Sequence, residues 1–196
     1  MSEKTKIVFI HGGDSFATME DFRNTICNWN YNPYTPERKR WRDWLATELV
    51  DTHELFAPAM PCKQNADYVA WSIWFKKVIP YLTDNSLLIG HSLGGGFLLR
   101  YLTENKLSVT VAQLHLIAPC VDMVAGFDID LAAWSGFKTA ITETHLWHST
   151  DDTVVPLSQS EGFVVRYPTA ILHVCDDRFH FLTETFPELL EVIRGV

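Results

Sequence analysis

The fold is indicated most clearly by residues 87–96, which read LLIGHSLGGG. The apolar run Leu87–Gly90 is typical of a strand buried on both faces, and the residues after Gly96 have the apolar spacing of a helix. Gly90, Ser92 and Gly94 form a G-x-S-x-G pattern at the turn between them. Glycines two positions before and after the serine let strand and helix approach closely, so that a strained turn can project the hydroxyl. The pattern predicts a nucleophilic Ser92; a glycine-rich turn with an idle serine is the alternative.

Apolar runs and segments of helical period alternate along the rest of the chain. The other runs are Lys6–His11, Glu54–Ala57, Val111–Ile117, Thr144–His148 and Ala170–Val174. This alternation predicts right-handed βαβ crossovers and a three-layer α/β/α sandwich around a mostly parallel sheet of about six strands. The length of 196 residues suits one domain spanning 1–196, without a large cap domain.

Three helices can be placed from their sequence signals. Thr35 and Pro36 predict the start of one, with Trp41 and Leu45 on its apolar side. A second is predicted across residues 68–82, where apolar residues recur every three or four positions. The last is predicted at about Pro187–Arg194, with Leu189, Leu190 and Ile193 facing inward.

Composition excludes some function classes. The net charge of −8 argues against nucleic-acid binding, and we interpret the basic stretch at residues 38–42 as a solvated face. The sequence has no apolar run long enough to span a membrane, and its first residues resemble no leader peptide. Four scattered cysteines show no metal-ligand spacing. We expect a cytoplasmic protein that needs no metal or organic cofactor.

Two later segments carry groups that could activate Ser92. Asp151 and Asp152 follow the run Thr144–His148, and His180 lies in a loop after the run Ala170–Val174. Because the carboxyl ends of parallel strands meet at one edge of a sheet, these side chains should converge with the serine. A carboxylate there can orient the imidazole, which then removes the serine proton. The sequence thus predicts a nucleophile, acid and base in chain order, with either aspartate as the acid.

A further loop offers donors for the negative charge that develops during acyl transfer. His11, Gly12 and Gly13 follow the first strand, and the N–H of Gly13 together with that of Leu93 would form a two-donor oxyanion hole. A plain turn at this loop is the alternative. His11 is also a candidate for contact with the substrate.

These motifs together resemble the α/β-hydrolase superfamily. The resemblance is carried by a strand followed by H-G-G, by G-H-S-L-G-G at 90–95, by D-D-x-V-V-P at 151–156 and by a late F-H. It implies Asp152 as the acid and Gly13 in the oxyanion hole. Two positions depart from the family pattern, which often has glycine where this chain has Ser149 and Phe179. The small size and missing lid are similar to compact serine hydrolases related to retinoblastoma-binding protein 9.

The combined interpretation is a serine hydrolase that cleaves a small carboxylic ester or thioester. Trp29, Phe127 and Trp134 lie in two long connections that we expect to border the substrate, unless these aromatics only cover the sheet. The expected partner is a small ester-like molecule, with neither nucleic acid nor membrane, and a protein partner is left open. The alternative is a binding or scaffold protein that keeps the fold and barely turns over.

Overall fold

The centre of the molecule is a parallel β-sheet. A computed structural model describes residues 3–36, 39–124 and 126–195. Within these residues the sheet has six strands in the order β2-β1-β3-β4-β5-β6, and every neighbouring pair is parallel. The strands are β1 (Thr5–Ile10), β2 (His53–Phe56), β3 (Ser86–His91), β4 (Val111–Ile117), β5 (Ile141–Ser149) and β6 (Ile171–Cys175). All six predicted runs are confirmed as strands.

Helices cover both faces of this sheet. The helices packed on it are α2 (Trp41–Glu48), α3 (Tyr68–Phe75), α4 (Leu93–Glu104), α5 (Ser158–Arg166) and α6 (Pro187–Arg194), while α1 (Met19–Cys27) has no buried residue and lies outside the core. One apolar cluster joins the sheet to α3, α4 and α5, and a second joins its other face to α2 and α6. The predicted three-layer sandwich is confirmed. Burial of two-sided strands between helices explains why β3 and β4 are almost entirely apolar.

Tertiary contacts move the start of one predicted helix. Thr35 and Pro36 lie outside any helix, and α2 begins at Trp41. The Trp41 amide donates to the Thr183 carbonyl (3.1 Å), and its indole N–H donates to the carbonyl of Phe181 (3.0 Å). These contacts from a distant loop, and not the local cap signal, place the helix start.

The other two predicted helices differ in their outcome. The one predicted across 68–82 ends at Phe75, and a 3-10 helix at Ile79–Tyr81 follows, with Pro80 in it. Proline lacks the N–H that a continuing α-helix requires. The last helix is confirmed at Pro187–Arg194, with Leu189, Leu190 and Ile193 buried.

The topology brings four loops to one edge of the sheet. The chain moves outward from β1 to β2 and then returns to β3 on the other side of β1. Such a reversal leaves a crevice beyond the carboxyl ends of the strands, where ligands bind in open α/β sheets. The loops that follow β1, β3, β5 and β6 begin at this crevice.

Candidate active site

Ser92 sits in a strained turn between β3 and α4. Its backbone has φ 56° and ψ −122°, a combination that residues other than glycine rarely adopt. The turn is fixed because the Ser92 amide donates to the Ile117 carbonyl (2.8 Å) and its own carbonyl accepts from Gly95 N–H (2.9 Å). The sequence interpretation of a sharp strand-to-helix turn at this serine therefore holds.

The flanking glycines are required by close backbone packing. A Cβ on Gly90 would lie 2.6 Å from the carbonyl oxygen of Gly94, and one on Gly94 would lie 2.6 Å from that of His11. A larger residue at Gly90 would push α4 away from β3, and one at Gly94 would push it away from the end of β1. The G-x-S-x-G spacing thus sets where the serine hydroxyl stands.

The structure brings the predicted base, His180, into contact with one of the two predicted acids, Asp152. His180 Nδ1–H donates to Asp152 Oδ2 at 2.8 Å, and the carboxylate is fully buried. The other oxygen, Oδ1, accepts from the amides of Val154 (2.8 Å) and Val155 (3.0 Å). Since the carboxylate fixes the proton on Nδ1, Nε2 of the imidazole is left as the proton acceptor.

Asp151 is directed elsewhere. Its Oδ1 accepts from the Ser149 hydroxyl and from the Phe179 amide (2.9 Å), so it supports the loop that carries the histidine. The geometry therefore favours Asp152 as the orienting acid, in line with the resemblance.

The loop around His180 is itself strained and anchored to the serine turn. Phe179 and Phe181, on either side of His180, have φ values of 47° and 52°. His91 Nε2–H donates to the His180 carbonyl at 2.9 Å, and the two rings lie 4.9 Å apart. Burial lowers the pKa of His91 to about 4, so this ring is neutral and serves as a structural donor.

Ser92 and His180 line one cavity of about 740 Å³ beyond the strand ends. Ser92 Oγ lies 3.9 Å from Cys120 Sγ, and among the described residues it forms no hydrogen bond with His180. Burial raises the pKa of the Cys120 thiol to about 11, which keeps it protonated near neutral pH.

The proposed oxyanion donors stand on the two sides of the serine. Leu93 is the first residue of α4, where amide groups have no partner within the helix. The loop after β1 reaches the serine at Gly12, where a Cβ would lie 3.0 Å from Ser92 Cβ. A Cβ on Gly13 would overlap the carbonyl oxygen of Lys63. The roles of Gly13 and Leu93 as oxyanion donors stay a prediction.

His11 lines the cavity, but both of its ring nitrogens have partners in the protein. Nε2 accepts from the Met60 amide (2.9 Å), and Nδ1 bonds the Gly12 carbonyl (2.7 Å). The ring thus fixes the loop after β1. A role of His11 in substrate contact stays a prediction.

Three predicted substrate contacts are corrected by the packing. Phe127 is buried against Tyr68 and Trp71. Trp134 is buried against Phe163, and its indole N–H donates to Thr103 Oγ1 (2.7 Å). Trp29 is 45% exposed and lies outside the cavity lining. The connection after β4 packs on α4, which agrees with the alternative that these aromatics only cover the core. From this connection, Met123 and Val124 line the cavity.

The buried side chain of His148 lies next to Asp152, a contact that the sequence did not predict. His148 is fully buried, and its Nε2 lies 3.7 Å from Asp152 Oδ2 while donating to the Val155 carbonyl (2.8 Å). Ser160 Oγ bonds its Nδ1 at 2.7 Å. The pKa of His148 is lowered by burial, so a neutral ring packs under the acid loop and ties it to α5. Its position at the end of β5 was the available signal.

The basic stretch before α2 also has a role that the sequence did not reveal. Lys39 and Arg40 are exposed, as expected of a solvated face, but with Arg42 and the distant Lys63 they line the cavity. Arg38 lies outside the described residues. A cavity wall built from separate loops cannot be recognised in one stretch of sequence.

The described residues show neither a metal centre nor a membrane span. No group of three or more His, Cys, Asp or Glu side chains in them is placed to hold a metal ion. None of the helices in the same residues has the length and apolar character needed to cross a bilayer.

Comparisons with known proteins report on the fold. The chain superposes on the ydeN gene product of B. subtilis with a TM-score of 0.73, 18% identity and 98% of each chain covered. MGS-MChE2, an α/β-hydrolase enzyme from a sediment metagenome of the Mar Chica lagoon, Morocco, gives 0.63 and 16%, covering 98% of this chain and 90% of the other. Est1E from Butyrivibrio proteoclasticus superposes with a TM-score of 0.61 and 13% identity, covering 98% of this chain and 86% of the other. No protein-family model and no curated protein sequence matches the chain. At these identities the likeness concerns the sheet and its helices.

Proposed function

We propose that this chain, which has the α/β-hydrolase fold, is a serine hydrolase that cleaves a small carboxylic ester or thioester. One observation carries the proposal: the buried Asp152 carboxylate bonds His180 at 2.8 Å, and that imidazole shares a cavity with a serine held at φ 56°. A strained serine, an imidazole with a fixed tautomer and a buried carboxylate are the parts that nucleophilic acyl transfer requires.

The reaction proceeds in two stages. Ser92 Oγ attacks the carbonyl carbon while His180 Nε2 takes its proton, and the tetrahedral intermediate collapses as the imidazolium returns that proton to the leaving alcohol or thiol. Water then attacks the acyl-enzyme with His180 again as base, which releases the carboxylic acid and restores the serine. The amides of Gly13 and Leu93 hold the oxyanion in both stages, each contributing roughly 3–4 kcal/mol. Asp152 stabilises the imidazolium in each.

Similarity to the compact serine hydrolases related to retinoblastoma-binding protein 9 is part of this proposal. What supports it is the connection after β4, which packs on α4. In this proposal the protein acts in the cytoplasm on a small molecule and uses no metal or organic cofactor.

Labelling with a fluorophosphonate probe tests the nucleophile directly. We expect labelling of the wild type at Ser92, its loss in Ser92→Ala and its strong reduction in His180→Ala. Ser108→Ala, at an exposed serine, is the matched control and should label like the wild type. With 4-nitrophenyl acetate the wild type should release 4-nitrophenol with a dependence on the same two residues. Folded wild type that neither labels nor hydrolyses the ester would overturn the proposal in favour of the scaffold alternative.

A further inference from the structure

Four basic side chains gather at the mouth of the cavity. Lys39, Arg40, Arg42 and Lys63, here called the cationic rim, all line it, although the chain as a whole has a net charge of −8. Among the described lining residues the one carboxylate is Asp14, and burial raises its pKa, which disfavours the charged form. The rim therefore concentrates positive charge at one place on an acidic protein.

The rim is attached to the two loops that carry the chemistry. On one side, Asp14 N–H donates to the Lys63 carbonyl (2.8 Å), which joins Lys63 to the loop of the proposed oxyanion donor Gly13. On the other, the Trp41 amide and indole bond the loop that follows His180. Arg40 precedes that tryptophan directly. The cations thus flank the reacting groups from both sides.

Three of the four rim cations have no ion-pair partner among the described residues. Arg42 pairs with Asp43 and lies 5.8 Å from the Phe9 ring. Lys39, Arg40 and Lys63 form no ion pair with any residue of the described ranges. Their side chains are exposed, so an anion from solution can reach them.

The rest of the cavity lining includes apolar side chains, among them Met123, Val124, Val154 and Val155. His11 in the same lining is close enough to the rim for its charges to act on it: burial lowers the pKa of His11 most, the bond to the Gly12 carbonyl raises it, and Lys63, Arg42 and Arg40 lower it. A ligand that matches this lining has an apolar segment and an anionic end.

We propose that the substrate is an ester or thioester that carries a carboxylate or phosphate group, which the cationic rim binds while the carbonyl faces Ser92. The ester part of this inference rests on the proposed function; the anion site does not. Arginine and lysine both bind carboxylate and phosphate oxygens, and arginine does so with two parallel donors.

A pair of esters tests the substrate class. 4-Nitrophenyl hydrogen glutarate carries a free carboxylate, and methyl 4-nitrophenyl glutarate is its neutral counterpart. For the wild type at low salt we expect kcat/KM to be about tenfold higher for the anionic ester, and the ratio to fall towards one near 0.5 M NaCl as the charges are screened. A wild-type ratio of one or less would overturn the inference.

Two triple variants with the same loss of charge separate the rim from net charge. Lys39→Gln/Arg40→Gln/Lys63→Gln removes three rim cations, whereas Lys76→Gln/Lys77→Gln/Lys106→Gln removes three exposed lysines outside the cavity lining. The ratio should collapse in the first variant and persist in the second. Equal ratios in the two variants would show that the rim has no specific role.

Direct binding keeps this inference separate from the proposed function. Calorimetric titration with glutarate or propyl phosphate should show binding to wild type and to Ser92→Ala, and a loss of at least about tenfold in affinity in the rim variant. The two anions distinguish a carboxylate substrate from a phosphate substrate. If neither ester is hydrolysed but these anions bind through the rim, the hydrolase proposal fails and the anion site stands. If ester hydrolysis depends on Ser92 but shows no preference for the anionic ester and no anion binding, the hydrolase proposal stands and the anion site fails.

Discussion

Replacing Asp152 with asparagine removes the charge that orients His180 while leaving the shape of the buried site almost unchanged. The asparagine Oδ1 can still accept from the amides of Val154 and Val155, so the acid loop should keep its fold. Its NH₂ group takes the place of the oxygen that lies 2.8 Å from His180 Nδ1. An amide hydrogen there favours an unprotonated Nδ1 and places the ring proton on Nε2, the atom that must accept from the serine.

The size of the loss follows from that reversed tautomer. A change from aspartate to asparagine in a Ser-His-Asp triad lowers kcat about 10⁴-fold, which corresponds to about 5.4 kcal/mol of transition-state stabilisation. Asp151→Asn is the matched control, because this aspartate bonds Ser149 and the Phe179 amide instead of an imidazole. We expect Asp151→Asn to lose about threefold or less, because an asparagine Oδ1 can still accept both hydrogen bonds.

Steady-state hydrolysis of an activated 4-nitrophenyl ester measures both variants, and circular dichroism with urea unfolding checks that they fold. Asp152→Asn within tenfold of the wild type, or an equal loss in Asp151→Asn, would refute the assignment of the acid. The reasoning from the tautomer would then fail together with the proposed role of His180.

Three further predictions concern stability and reactivity. Burial lowers the pKa of His91 to about 4, so between about pH 6.5 and 4 the unfolded chain binds this proton and the folded one does not. This group alone should cost about 2 kcal/mol of stability between pH 7 and pH 5, and the other histidines whose pKa burial lowers add to it, so urea unfolding should show at least that loss and a flat profile would contradict it. Native protein treated with iodoacetamide near neutral pH should be alkylated at exposed Cys62 and not at Cys120, because burial raises the pKa of the Cys120 thiol to about 11. Peptide mass spectrometry identifies the modified cysteine, and modification of Cys120 would contradict its burial beside Ser92. Leu114→Ala, at a fully buried position in β4, should lower the free energy of unfolding by about 3 kcal/mol. Val165→Ala, at a side chain that is 82% exposed, should cost less than about 0.5 kcal/mol, and similar costs at the two sites would mean that the core is misassigned.

Local patterns were sufficient for the sheet and for the serine turn. A strand buried on both faces needs mostly apolar side chains, and this requirement made the central strands β1 and β3 visible in the sequence. The edge strands β2 and β6 are only partly buried, and they were recognised as short apolar runs between predicted helices. The turn at Ser92 needs glycine at Gly90 and Gly94 because backbone atoms approach within 2.6 Å of where a Cβ would be. Requirements of this kind act over a few neighbouring residues, so they leave a direct trace in sequence.

The composition of the cavity was decided by tertiary structure alone. Phe127 and Trp134 have the character of substrate contacts in sequence, yet apolar burial draws both into the core. Lys63 is placed beside the reacting groups by a backbone bond to Asp14, although some fifty residues separate the two in the chain. Aromatic and basic side chains gain as much from a protein wall as from a ligand, and only the packing of distant loops determines which they meet. The sequence by itself therefore determined the sheet, the turn at Ser92 and the chain order of Ser92, Asp152 and His180, and the fold decided what surrounds them.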